Sequence, residues 1–184
     1  VTLVGFSMGG GEVARYMSRH GGKGVSRAIL VSAVTPYLLK DNSNPDGVDG
    51  STFDGFIAEL KKDRPGFLET FGKQFYGVGL LDWSVSSAYL EWTKQMALQA
   101  SLRSTIKCVD AFGRTDFRGD MAAFKVPTLV IHGTSDSTVP FEISGKRAAE
   151  MITGAELKAY DGAPHGLHYT EQDRLVADLA DFVR

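Results

Sequence analysis

The opening stretch VGFSMGGGEVARY constrains the fold of this chain more than any other segment. Residues 1–4 are apolar and β-branched, which is typical of a strand covered on both faces. Residues 9–20 carry apolar side chains at helical spacing, and the two glycines that follow predict the end of that helix. Residues 28–34 (AILVSAV) predict a second buried strand. This succession of strand, helix and strand indicates a βαβ unit with parallel strands.

The turn between the first strand and the helix has the pattern G-x-S-x-G, with Ser7 between Gly5 and Gly9. So sharp a turn strains the serine backbone, and we expect both glycines to be required because neighbouring backbones would otherwise clash. The hydroxyl then projects from the carboxyl edge of the sheet, where open α/β sheets bind ligands. The N–H of Met8 can face a developing oxyanion. Ser7 is therefore a candidate nucleophile, and Met8 a candidate oxyanion donor.

A serine hydroxyl needs a base to take its proton, and four histidines are candidates. His165 lies in the Gly/Pro loop GAPHGL, after the last predicted strand and before the last predicted helix, where an imidazole can reach back to Ser7. We expect His20 to satisfy carbonyl groups at a helix end and His132 to be packed and hydrogen-bonded within its strand. His168 is a neighbour of the site without a motif of its own. His165 is the preferred base.

The base in turn needs a carboxylate that orients it. Asp136 follows the predicted strand TLVIHG, again at a carboxyl edge, although SDSTVP also suits a simple turn or a capping aspartate. Asp161 is a rival because it lies close to His165 along the chain, but we expect it only to shape the turn in YDGAP. Asp136 is therefore the preferred carboxylate.

The segment 35–123 differs from its flanks. A turn-rich loop, KDNSNPDGVDGS, is followed by helical patterns and by many aromatic residues, among them Phe75 and Trp83. We expect most of these aromatics to fill the core between the helices and a few to wall an apolar substrate pocket. The pattern predicts a helical cap at 35–123, inserted into an α/β core formed by 1–34 and 124–184.

The α/β pattern resumes after the predicted cap. It predicts strands at 128–133 and 156–160, a helix at 141–152 and a closing helix at 170–184. Thr170 followed by Asp173 resembles a capping box at the start of the closing helix. That helix is expected to present one apolar stripe, which consists of Leu175, Val176, Leu179, Phe182 and Val183.

Composition excludes several classes of partner. A net charge of −2 offers no basic field for nucleic acid and no polybasic membrane patch. No apolar run approaches the ~20 residues that span a bilayer, so we expect no membrane partner. The single cysteine, Cys108, excludes an internal disulfide and a multi-cysteine zinc site, and we expect it to be buried and inert. No signal peptide is visible, which favours the cytoplasm.

These segments together resemble the α/β-hydrolase superfamily, and more narrowly the bacterial cofactor-free (non-haem) chloroperoxidase and arylesterase group. The stretches that carry the resemblance are VGFSMGGGEVARY, AILVSAVTPYLL, NPDGV, IHGTSDSTVPFE and GAPHGLHYTEQDRL. The chain order Ser7, Asp136, His165 is also that of α/β-hydrolases. The resemblance implies a mostly parallel sheet with a helical cap, a triad of these three residues, and Met8 as one oxyanion donor.

The resemblance further implies a serine hydrolase of small carboxylic esters that works through an acyl-serine intermediate. Members of this group also make peracids from a carboxylic acid and hydrogen peroxide, and the peracid oxidises halide. The sequence leaves open whether water or peroxide is the acceptor. The group needs neither metal nor haem, so no cofactor is expected. A lactonase, a C–C hydrolase and a non-catalytic ligand-binding member of the fold remain alternatives.

The chain departs from the group in one respect. The serine turn lies at residue 7, whereas in the group it follows the fifth strand. We therefore expect a C-terminal fragment whose fold lacks the N-terminal strands and the loop that carries a second oxyanion donor, with a genuine short enzyme as the alternative. The activity, and any homo-oligomer, are assigned to the longer parent protein, and we expect the fragment by itself to be weakly active or inactive.

Overall fold

The computed structural model describes residues 1–79 and 85–184, so the predicted aromatic Trp83 lies outside the described residues. Four strands form one parallel sheet in the order β1-β2-β3-β4. They are β1 (Thr2–Phe6), β2 (Arg27–Val31), β3 (Thr128–Gly133) and β4 (Glu156–Tyr160). The parallel pairing of the first two strands is confirmed. β1 runs on through Gly5 to Phe6, and β2 ends before Ser32 because that residue has a φ of 45°.

Helices flank the sheet and fill the long connection between β2 and β3. In chain order they are α1 (Met8–His20), α2 (Gly50–Lys62), α3 (Arg64–Phe75), α4 (Ser87–Leu98), α5 (Leu102–Arg114), α6 (Arg118–Met121), α7 (Gly145–Met151), α8 (Leu167–Thr170) and α9 (Gln172–Val183). The predicted helical character of the connection is confirmed for its described residues. The division into a cap at 35–123 and a core stays a prediction. None of the described helices has the length and apolar character needed to cross a membrane.

Alternate residues of the central strands face two separate apolar layers. Ala28 and Leu30 of β2 pack into the layer that contains α1 and α7, whereas Ile29 and Val31 pack into the layer that contains α9. This alternation follows from the period of two along a strand. β1 is an edge strand of the described sheet, and its Val4 is 53% exposed. The described part of the chain therefore leaves β1 uncovered at Val4, although its apolar pattern is typical of a strand covered on both faces.

Two predicted helices differ from the observed ones. The segment predicted as one helix at 141–152 has a 3-10 turn (Phe141–Ile143), and α7 begins only after Ser144. Thr170 belongs to α8, where its N–H donates to the carbonyl oxygen of Gly166 at 3.3 Å, so it does not cap α9. The predicted capping box is therefore wrong.

The apolar stripe of the closing helix is narrower than predicted. Leu175, Leu179 and Phe182 pack against the sheet, whereas Val176 is 58% and Val183 is 44% exposed. The predicted burial of Cys108 is also wrong, because it is half-buried on α5. The core-facing part of α9 thus consists of three residues at helical spacing.

The glycines around Ser7 serve different purposes from those predicted. A Cβ at Gly5 would lie 2.6 Å from the carbonyl oxygen of Gly9, so the requirement at Gly5 is confirmed. A Cβ at Gly9 would meet no heavy atom within 4 Å, so the predicted clash there is wrong. The close approaches are at the next two positions. A Cβ at Gly10 would overlap the Cβ of Ala33, and one at Gly11 would lie 2.5 Å from the ring of Phe117.

A matched pair of alanine substitutions tests this packing. We expect Gly10→Ala to lower the free energy of unfolding by about 1–3 kcal/mol, because the added methyl group overpacks the contact between α1 and the segment after β2. Gly9→Ala is expected to raise it by up to about 1 kcal/mol, because alanine is the better helix former. Urea unfolding of both variants provides the measurement, and equal destabilisation would contradict the assignment.

Candidate active site

The three residues predicted for the site follow three different strands of one sheet. Ser7 lies between β1 and α1, Asp136 follows β3, and His165 follows β4. Since the strands are parallel, these positions share the carboxyl edge of the sheet. Asp136 lies 129 positions and His165 lies 158 positions after Ser7 along the chain. The structure therefore brings together three residues that are far apart in sequence.

A continuous chain of hydrogen bonds joins the three side chains. The Nε2 atom of His165 lies 2.9 Å from the Oγ atom of Ser7, and its Nδ1 atom lies 2.7 Å from Oδ2 of Asp136. An ionised carboxylate can only accept, so the ring carries its proton on Nδ1. The neutral ring then presents a lone pair on Nε2 to the serine hydroxyl. His165 is 1% exposed, which keeps this arrangement away from bulk water.

The backbone of Ser7 is held in an unusual conformation. Its φ of 54° and ψ of −122° lie in a region that favours glycine. Its N–H donates to the carbonyl oxygen of Val31 at 2.9 Å, and its own carbonyl oxygen accepts from the N–H of Gly10 at 3.0 Å. These bonds tie the turn to β2 on one side and to α1 on the other. The predicted strain at the serine is therefore observed.

Met8 is the first residue of α1. The N–H groups of the first helical turn have no acceptor within the helix, and the helix dipole makes this end electropositive. The Met8 N–H can therefore serve an anion formed next to Ser7. Its role as an oxyanion donor stays a prediction.

The carboxylate of Asp136 is buried and accepts hydrogen bonds on both oxygens. Oδ1 accepts from the backbone N–H groups of Thr138 at 2.9 Å and Val139 at 2.8 Å. Oδ2 faces His165 and also, at 3.2 Å, the Nε2 atom of His132. Burial by itself raises the pKa of Asp136, but the hydrogen bonds from His132 and His165, together with the charges that these rings carry when protonated, outweigh it and lower the pKa to about 2. Asp136 is therefore ionised at neutral pH.

His132 is the part of the site that sequence reasoning missed. It is fully buried and its Nε2 atom lies 2.8 Å from the carbonyl oxygen of Val139, so the predicted packed and hydrogen-bonded role is confirmed. Its approach to Asp136 was not expected. The sequence offers one signal for this contact, which is the spacing of four residues between His132 and Asp136. That spacing predicts a contact only if the chain turns back after Gly133, where β3 ends.

The other candidates lie apart from this hydrogen-bond chain. His20 is exposed at the end of α1, where its ring packs 5.0 Å from that of Tyr16. Asp161 is exposed and accepts from the hydroxyl of Thr134 at 3.3 Å. His168 is half-buried beside the site, and burial, followed by the charge of His165, lowers its pKa. None of the three is hydrogen-bonded to His165 or Ser7 within the described part of the chain.

Aromatic rings surround the imidazole of His165. The ring centroid of Phe6, next to the serine, lies 5.2 Å from it, and that of Phe75 at the end of α3 lies 4.7 Å from it in an edge-to-face arrangement. Phe75 also lines a cavity of about 300 Å³ together with Leu68, Phe71, Tyr76, Met96 and His168. An apolar cavity thus lies next to the candidate site, and Phe75 borders both.

The described residues contain no group of three or more His, Cys, Asp or Glu side chains arranged to hold a metal ion. The side chains of Ser7, His165 and Asp136 at the carboxyl edge of the sheet are hydrogen-bonded to one another. Their arrangement suits proton transfer between a serine, an imidazole and a carboxylate.

Comparison with known proteins gives a consistent result. The sequence profile of a family described as alpha/beta hydrolase fold matches residues 1–172. The chain is 37% identical over 185 residues to a non-heme chloroperoxidase of Kitasatospora aureofaciens, covering 100% of this chain and 67% of that protein. It is 39% identical over 183 residues to a bifunctional esterase/perhydrolase of Acinetobacter calcoaceticus, covering 98% of this chain and 66% of the relative.

A solved structure is also similar. The crystal structure of a bromoperoxidase from Bacillus anthracis superimposes with a TM-score of 0.96 at 42% sequence identity, covering 100% of this chain and 67% of that one. The chain therefore spans about two thirds of the length of the relatives it matches.

Proposed function

We propose that this chain, which belongs to the alpha/beta hydrolase fold family, carries the catalytic residues of a serine hydrolase that acts on small carboxylic esters. The observation that carries the proposal is the hydrogen-bond chain from Ser7 through His165 to Asp136, with distances of 2.9 and 2.7 Å. A non-catalytic binding protein of the same fold has no need for a strained serine aligned on a buried imidazole. The names of relatives as esterase, perhydrolase and chloroperoxidase support the same class.

In the acylation step, Ser7 is the nucleophile and His165 the base. The Oγ atom of Ser7 bonds to the ester carbonyl carbon while Nε2 of His165 takes its proton. The carbonyl oxygen becomes an oxyanion, to which the N–H of Met8 donates. As the carbon–oxygen bond to the alcohol breaks, Nε2 returns the proton to the leaving oxygen. Asp136 keeps the proton of the ring on Nδ1 and stabilises the imidazolium between these transfers.

The acyl group on Ser7 is then passed to a second acceptor. His165 takes a proton from water as the water oxygen attacks the acyl carbon. The bond from that carbon to Oγ of Ser7 then breaks and Nε2 returns the proton to Oγ, which gives the carboxylic acid and free Ser7. If hydrogen peroxide attacks instead, the products are the peracid and free Ser7, and the peracid oxidises halide. The relative named a bifunctional esterase/perhydrolase and the one named a non-heme chloroperoxidase support peroxide as the alternative acceptor.

The surroundings of His165 favour an apolar substrate. The rings of Phe6 and Phe75 exclude water from the imidazole, and the cavity of about 300 Å³ beyond Phe75 can hold a small apolar group. A lactonase or a C–C hydrolase would use the same three residues, so these activities remain the alternatives. A cytoplasmic location and a homo-oligomer also stay predictions.

The first experiment asks whether Ser7 is the nucleophile. A fluorophosphonate probe is expected to label the protein once, on Ser7, because the probe reacts with serine hydroxyls that an adjacent base activates. Peptide mapping of the adduct provides the measurement. Ser18→Ala removes an exposed hydroxyl from α1, the helix that follows Ser7, and is expected to leave labelling unchanged. Ser7→Ala is expected to abolish labelling. Labelling at another residue, or none, would favour the ligand-binding alternative.

A further inference from the structure

We propose that His132 is a positioning residue for Asp136, held neutral with its proton on Nε2 and sharing that proton with the carboxylate. The inference deepens the proposed function, because it concerns the carboxylate that would orient His165. His132 contacts neither Ser7 nor the space in which a substrate reacts, so any effect it has on turnover passes through Asp136.

Two acceptors determine the protonation of the His132 ring. Its Nε2 atom lies 2.8 Å from the carbonyl oxygen of Val139 and 3.2 Å from Oδ2 of Asp136. A carbonyl oxygen and an ionised carboxylate can only accept, so Nε2 must carry the hydrogen that both of them share. The Nδ1 atom is buried and has no hydrogen-bond partner in the described part of the chain. A second proton there would be a buried donor without an acceptor, which is costly.

The His132 ring packs against two residues, Gly145 and Phe141, whose side chains offer Nδ1 no acceptor. Gly145, the first residue of α7, lies so close that a Cβ there would be 2.5 Å from Nδ1. The ring of Phe141 lies 5.9 Å from the imidazole. The absence of a side chain at Gly145 thus makes room for the ring while providing no acceptor for a charged form.

The remaining charged groups nearby are directed elsewhere. On α7, Lys146 pairs with Glu142 at 2.6 Å, and Arg147 donates to the amide oxygen of Asn44 at 3.0 Å. The titratable groups that act on Asp136 are therefore its two histidines. On α8, burial and the charge of His165 lower the pKa of His168, so His168 brings no positive charge to this cluster at neutral pH. His132 thus supplies Asp136 with a neutral donor and not with a counter-charge.

A neutral donor has two consequences for the proposed reaction. First, it fixes the direction of Oδ2 and leaves the net negative charge of Asp136, which stabilises the imidazolium of His165, unchanged. Second, its hydrogen bond to Oδ2 weakens the attraction between Oδ2 and His165, so the imidazolium can still return its proton. If the donor is removed, more of the charge on Oδ2 faces His165, and the imidazolium persists to higher pH.

The test compares His132→Leu, which removes the donor, with His132→Gln, which keeps an N–H donor. For His132→Leu we expect the acid limb of kcat/KM for a p-nitrophenyl ester to move up by about half a pH unit. We also expect kcat to fall about tenfold with KM little changed. The reason is that the loss of the donor displaces Asp136 and His165, which transfer the proton, but leaves the binding of the substrate unchanged. His132→Gln is expected to restore most of both values. His20→Leu, at an exposed position, is the matched control and should change neither.

A nitrogen-15 NMR measurement on the full chain separates this inference from the proposed function, because it needs no turnover. We expect His132 to show the Nε2–H tautomer at pH 7, in a signal that is absent from the spectrum of His132→Leu. An Nδ1–H tautomer, or a doubly protonated ring, would overturn the inference even in an active enzyme. The wild-type spectrum suffices for this decision if His132→Leu does not fold. The expected spectra from a chain whose Ser7 is not labelled by the fluorophosphonate probe would instead contradict the proposed function alone.

Discussion

Replacing Ser7 with glycine is expected to abolish ester turnover and to make the protein more stable than the alanine variant by about 1 kcal/mol. The residue has a φ of 54°, which glycine adopts without the steric cost that any Cβ incurs there. Ser7→Ala keeps that strain and loses the hydroxyl. Both variants lack the nucleophile, so we expect kcat/KM to fall by at least about 10⁴-fold in each.

Urea unfolding and initial rates with p-nitrophenyl acetate measure the two effects on the same samples. The comparison of glycine with alanine isolates the backbone term, because neither side chain can hydrogen-bond to His165. Equal stabilities of Ser7→Gly and Ser7→Ala would mean that the turn stores no strain at this residue. Turnover that survives in either variant would remove Ser7 from the proposed mechanism.

The meeting of Ser7, Asp136 and His165 was predictable because it depends on topology alone. Each residue follows a segment that reads as a strand, and the carboxyl ends of parallel strands share one edge. No detail of side-chain packing is needed for that step. The family assignment rested mostly on motifs that lie at strand ends, and the match to the alpha/beta hydrolase fold confirms it.

The roles of the individual glycines were not predictable in the same way. The spacing G-x-S-x-G pointed to Gly5 and Gly9. The positions in α1 that have no room for a side chain are instead Gly10, which lies against Ala33, and Gly11, which lies against Phe117. Ala33 and Phe117 lie 23 and 106 residues downstream of these glycines. A requirement created by a partner so distant in sequence has no local signature.

His132 shows a similar limit for the site itself. Within TLVIHG it reads as one more residue of a strand buried on both faces. Its contact with Asp136 arises because the chain reverses after Gly133, so that the Asp136 N–H reaches back to the carbonyl oxygen of Gly133 at 3.3 Å. The tight turn brings the carboxylate over the ring, and sequence spacing alone does not specify that geometry.

Asp136→Asn is expected to lower kcat/KM by about 10³–10⁴-fold, because an amide cannot satisfy the donors that surround this carboxylate. If the amide NH2 replaces Oδ2, it faces the N–H of His132 and forces the proton of His165 onto Nε2, which then cannot accept from Ser7. If the NH2 replaces Oδ1, it opposes the backbone N–H groups of Thr138 and Val139. Either orientation leaves buried donors unpaired.

The same substitution is expected to change how stability depends on pH. The pKa of Asp136 is lowered from 3.8 to about 2 on folding, so its contribution is fully present above pH 3.8 and is lost as the pH falls through 2. This contribution is about 2 kcal/mol. Between pH 4 and pH 2 the wild type should therefore lose about 2 kcal/mol more than Asp136→Asn in urea unfolding. Asp161→Asn, which alters the exposed rival carboxylate, should behave as the wild type in both assays. The opposite ranking of the two variants would make Asp161 the orienting carboxylate, although only Asp136 lies within 2.7 Å of the imidazole.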